Sequence, residues 1–70
     1  MQALSNVKAG ESCTIKWMLG VAEVLDSLHR RHVEEGATVR VIQRCGESVI
    51  IGVQDVRLVL GSEIADRIKV

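Results

Sequence analysis

Residues 37–60 read ATVRVIQRCGESVIIGVQDVRLVL, and this stretch decides the fold. It holds three runs of alternating apolar residues separated by short polar breaks. In the first run Val39 and Val41 face one way, and Arg40 and Ile42 face the other, which is the period of a half-buried strand. Cys45-Gly46-Glu47 is short and contains glycine, so it reads as a hairpin loop. The next run, Ser48 to Val53, places Val49, Ile51 and Val53 on one face. Gln54-Asp55 makes a second tight connection, where Asp tolerates left-handed backbone better than most residues. Val56, Leu58 and Leu60 then face inward, Arg57 faces outward, and Gly61 ends the run. Two consecutive hairpins are therefore expected at the centre of the molecule.

Working outward, the N-terminal side supplies one more strand and a helix. Ala3, Leu4 and Val7 can tuck an arm against the body. Lys8 to Glu11 reads as a turn around Gly10. Ser12 to Met18 alternates, with Cys13, Ile15 and Trp17 on the inward face and Trp17 expected in the core. After Gly20 the period changes. Val21, Val24, Leu25 and Leu28 fall at i, i+3, i+4 and i+7, so a helix is expected from about residue 21 to 32. His29, Arg30, Arg31 and His32 lie at its end, where cations complement the carbonyl terminus. Glu34-Glu35-Gly36 closes a turn. On the C-terminal side, Ser62 to Ala65 reads as a helical turn capped by Ser62. Arg67 to Val70 can add a last strand with Ile68 and Val70 inward. The expected fold is mainly β: a single domain, residues 1–70, forming a small, partly closed barrel with one helix between the first and second strands.

Composition narrows the function. The chain has 70 residues, 47% of them hydrophobic, with nine Lys plus Arg against nine Asp plus Glu. A domain of this size has a thin core and seldom encloses a deep substrate cleft, so the reading is non-enzymatic. Nucleic-acid binders carry a basic excess, and none exists here overall. Trp17 is the only aromatic residue, too few for base stacking or for a groove that takes Pro-rich peptides. The opening MQALSNVKAG lacks a signal-peptide core, and no stretch approaches the ~18 apolar residues that span a bilayer. A cytoplasmic protein with Cys13 and Cys45 reduced is therefore expected, without direct membrane insertion.

In order and spacing, the chain resembles the FeoA family, small proteins associated with bacterial ferrous iron transport. Leu4 and Lys8-Ala9-Gly10-Glu11 match a leading leucine and a turn ending in Gly-Glu. Leu28, Val33, Gly36 and Val39-Arg40-Val41 follow the family's helix-exit and strand signature. Ser48 to Leu60 resembles its hairpin, and Ala65, Ile68 and Val70 match its closing pattern. The resemblance covers about residues 3–70. It implies an SH3-like small barrel. It also implies an accessory role on a FeoB-like transporter, a membrane protein with a cytosolic GTPase domain, and it brings no catalytic residues. Two positions depart from the pattern. The family usually has Leu-Gly where this chain has Arg31-His32, and Gly where it has Asp55. A Gly at a helix exit usually takes left-handed backbone, which His adopts at some cost, so the helix exit is expected to be reshaped.

Three sets of residues are candidate sites. The basic cluster at the helix exit, with Arg30 and Arg31, can meet an acidic partner. Ile42, Ile50 and Val59 point away from the expected core, and an apolar patch there suggests a partner surface or self-association into a homo-oligomer. His29 and His32 form an H-x-x-H that could share an Fe(II) or Zn(II) ion, with Cys13 or Cys45 adding a thiolate. Metal sites usually need three or four ligands and no local third exists, so the histidines read better as ordinary helix-exit residues and no cofactor is required.

Overall fold

The computed structural model describes all residues 1–70. After a 3₁₀ turn at Leu4–Asn6, the elements are β1 (Ser12–Thr14), β2 (Trp17–Met18), α1 (Ala22–Arg30), β3 (Thr38–Cys45), β4 (Ser48–Val53), β5 (Val56–Gly61), α2 (Ser62–Ala65) and β6 (Ile68–Lys69). Strands β1, β3, β4 and β5 form one antiparallel sheet in that order, and β2 pairs with β6 in a second. An isolated bridge between Ala3 and Lys69 ties the N-terminal arm to the smaller sheet. The architecture is the expected SH3-like one, mainly β with one main helix after the first strands, and the barrel is not closed.

The central hairpins form as the alternation predicts. Val39, Val41, Val49, Ile51, Val53 and Leu60 are all buried. Cys45 pairs with Ser48 and Val53 with Val56, so each loop has two residues. In each loop the first residue has positive φ, Gly46 at 57° and Gln54 at 54°. A positive φ at the first central position suits the twist of a two-residue hairpin. The left-handed residue of the second loop is therefore Gln54, and Asp55 follows it in ordinary backbone.

Several expectations are corrected. Residues 12–18 are two strands. At Ile15 the chain leaves one sheet for the other: the Ile15 N–H donates to the Ala37 carbonyl and the Lys16 N–H to the Lys69 carbonyl. This switch resets the alternation, so Met18 is buried and Trp17 is only half-buried. The Trp17 indole N–H donates to Met1 Sδ at the surface. Val21 is the N-cap of α1, in extended backbone, and is 67% exposed. Val56 directly opposes buried Val53 but stands on the edge strand β5 and is 42% exposed. Gly61 caps α2, and Ser62 is its first residue.

The helix exit keeps its form despite the absent glycine. The Val33 N–H donates to the Leu28 carbonyl and the His32 N–H to the His29 carbonyl, each at 3.0 Å. His32 sits between them at φ 66°. These are the two hydrogen bonds of a Schellman motif, and the buried pair Leu28 and Val33 supplies its hydrophobic contact. The expected reshaping does not occur, because the capping bonds and the Leu28–Val33 contact outweigh the strain of one left-handed non-glycine residue. That strain is measurable. His32→Gly is expected to raise stability by about 1 kcal/mol in urea unfolding, and His32→Val to lower it, since a β-branched residue suits positive φ least.

Candidate functional site

Two surfaces gather the functional candidates. The first is a groove of about 290 Å³ where α1, β5 and α2 meet. Val24 and Leu28 of the helix, Val59 and Leu60 of β5 and Ile64 of α2 supply its apolar lining, and Glu23, Ser27 and Arg31 its polar part. The helix lies here because its Val24, Leu25 and Leu28 stripe packs on the core cluster. Arg31 stands at the mouth, its Nη1 donating to Ser27 Oγ at 2.8 Å. That bond holds the guanidinium along the helix and fixes where its charge is presented.

Val59 is 67% exposed and directly opposes half-buried Ile50 on β4. The groove therefore continues as an apolar ridge onto the outer face of the sheet. Strand β5 is also the last strand of the four-stranded sheet, so its far edge has no neighbour in the chain. Arg31, Val59 and Ile50, which the sequence singled out separately, thus come together along one edge of the molecule. Arg30 is exposed in the last turn of the same helix.

Ile42 falls on a different part of the sheet. The β3–β4 register slips between Val41 and Gln43, leaving Ile42 as a bulged residue without a direct partner. Its Cδ1 lies 3.2 Å from where a Cβ on Gly52 would stand. A glycine at 52 is what allows Ile42 to lie flat across the strand and become half-buried.

The four candidate ligands do not gather into one site. His29 and His32 are exposed at the helix exit, Cys13 is half-buried on β1, and Cys45 is exposed at the end of β3. Nowhere do three or more His, Cys, Asp or Glu side chains gather as a metal would require. Both cysteines are free thiols, but they are unlike. Burial, and secondarily the Glu11 carboxylate, push the Cys13 thiol above its ordinary range. A raised folded-state value means that the fold holds this proton as pH rises, so stability falls above the ordinary thiol range. Alkylation by iodoacetamide at pH 8 is expected to modify Cys45 first and Cys13 only slowly, as read by peptide mass mapping. Faster modification of Cys13 would contradict this placement.

Sequence reasoning missed Ser27, Val24 and Ile64 as parts of one groove. The apolar period of α1 was visible, but its meeting with α2 depends on tertiary packing.

The chain is a small antiparallel β module with its one main helix set beside an unpaired strand edge. The FeoA domain family matches over residues 2–70, so the chain belongs to the FeoA family. The chain is similar to a crystal structure of an iron uptake regulatory protein, FeoA. The identity is 27%, 94% of this chain and 89% of that one are covered, and the TM-score is 0.84. It is similar in fold to the solution structure of FeoA from Chlorobium tepidum at 20% identity, covering 97% of this chain and 67% of that one, TM-score 0.92. The manganese regulator SloR shares the fold at 17% identity, with 96% of this chain and 32% of that one covered, TM-score 0.81. No curated protein matches this chain. No helix is long and apolar enough to cross a membrane.

Proposed function

We propose that this chain is a non-enzymatic accessory module of ferrous iron transport that docks on the cytosolic, GTPase-bearing part of a FeoB-like transporter. Family membership supports the iron-transport role. The observation that carries docking is the groove of α1, β5 and α2, bounded by Arg31 and continued by Val59 and Ile50 along an unpaired strand edge. Such an edge offers backbone donors and acceptors to an extended segment, and the flanking apolar pocket takes its side chains. Arg30 and Arg31 steer an acidic surface toward it. The module acts in the cytoplasm through contact alone, and requires no metal or catalytic group of its own.

The cellular test is ferrous iron uptake in a strain that keeps the transporter but lacks this chain. Uptake is expected to fall while transporter abundance stays constant, and to recover with the wild-type chain. Unchanged uptake would contradict the role.

A further inference from the structure

A second surface on the outer face of the sheet is built differently from the docking edge. Arg40, Gly52 and Arg57 stand directly opposite one another on β3, β4 and β5. All three lie on the outer face, because Val39, Val41, Ile51 and Val53 occupy the inner one. With strands ~4.8 Å apart, the two arginine Cα atoms are roughly 10 Å apart, with no β4 side chain between them and only Ile42 lying across Gly52. The result is a groove of about 550 Å³. Its floor is the Gly52 backbone and the flat Ile42 side chain. Gly10, at φ 92° and with nothing within 4 Å of a notional Cβ, leaves one side open. The Gln54 amide and the Asp55 carboxylate stand at the other end.

The charges facing this groove are two guanidinium groups and one carboxylate, so it is positive in a chain whose formal charge is zero. A guanidinium fork matches phosphate oxygens bidentately and remains charged at every physiological pH. Two forks on either side of a floor made by Gly52 and Ile42 suit a ligand with two linked anionic groups, one for each arginine. A single phosphate engages both only by drawing the side chains together over Ile42. We propose that the Arg40–Gly52–Arg57 groove binds a pyrophosphate group, free or as the diphosphate of a nucleotide.

Isothermal titration of the full chain with inorganic pyrophosphate tests this at about 150 mM salt, where diffuse attraction is screened. The expected result is one site with a dissociation constant below about 1 mM, the affinity that a few charge-assisted hydrogen bonds supply. Arg40→Ala and Arg57→Ala should each weaken binding about tenfold. Asp55→Asn should strengthen it by removing the one facing carboxylate. The double variant Arg30→Ala/Arg31→Ala should bind as wild type does. Because Arg40, Arg57 and Asp55 are exposed, all these variants are expected to fold, and circular dichroism checks that directly. A GDP arm separates the sources: GDP binding as tightly as pyrophosphate assigns the site to nucleotides, and weaker GDP binding assigns it to the free ion. No binding at 5 mM pyrophosphate, an equal affinity for orthophosphate, or an equal loss on changing Arg30 and Arg31 would each overturn the proposal.

Discussion

Truncating Ile51 to alanine is expected to cost about 3–4 kcal/mol and to leave little folded protein at 37 °C. Ile51 is fully buried at the centre of β4, opposite Val41 on one side and Leu58 on the other. The core holds only fourteen buried hydrophobic residues, so a cavity at its centre removes a large share of its packing. A 70-residue domain has a total stability of roughly 4–10 kcal/mol, so one such cavity consumes much of it. Ile51→Val removes one methylene and should cost about 1 kcal/mol. Ile50→Ala, one residue away on the outer face, should cost less than about 1 kcal/mol. Urea unfolding of the three variants reads the order directly. A larger loss for Ile50→Ala than for Ile51→Ala would mean that the inner and outer faces of β4 are reversed.

The second large effect concerns docking. Val59→Glu is expected to weaken binding to the transporter's cytosolic part at least about tenfold, with stability nearly unchanged. Val59 is largely exposed, so a charge there costs the isolated fold little. In a docked state the same carboxylate would be desolvated in the apolar lining of the groove, and it would also oppose an acidic partner. Arg31→Ala is expected to give a smaller loss, mainly in association rate, because rim charges steer more than they anchor. It also frees Ser27 Oγ from its hydrogen bond, so Ser27→Ala serves as the control for helix-surface effects.

The middle of the fold was legible because one period governs residues 37–60. Within each strand the buried residues sit two apart, Val39 and Val41 and then Val49, Ile51 and Val53, and the register slip at Ile42 falls after the last buried residue of β3. Legibility failed where a residue's neighbours change partway along the chain. Ser12 to Met18 alternates in sequence, yet it serves two sheets, and the crossing at Ile15 shifts Trp17 outward and Met18 inward. Val56 obeys the period of β5 but stands on the edge strand of the sheet, and alternation carries no information about which strand lies at an edge. The helix exit failed in another way. A missing glycine suggested a changed path, whereas two capping hydrogen bonds and the Leu28–Val33 contact hold His32 in the glycine conformation. Candidate surface residues were legible one at a time. Ile50 and Val59 could be read as outward, but their union with Arg31 in one groove rests on α1 lying beside β5. Arg57 was read as outward but not as part of a site, because its partner row, through Gly52 to Arg40, exists only in the sheet register.

Titration of the full chain into the purified cytosolic part of a FeoB-like transporter, followed by calorimetry, tests the central claim most directly. The expected result is a one-to-one complex with a dissociation constant below ~100 μM. Val59→Glu should abolish it, while the double variant His29→Ala/His32→Gly should leave it intact. No binding at ~100 μM by a chain shown to be folded, or equal binding by Val59→Glu, would contradict docking through the α1, β5 and α2 groove.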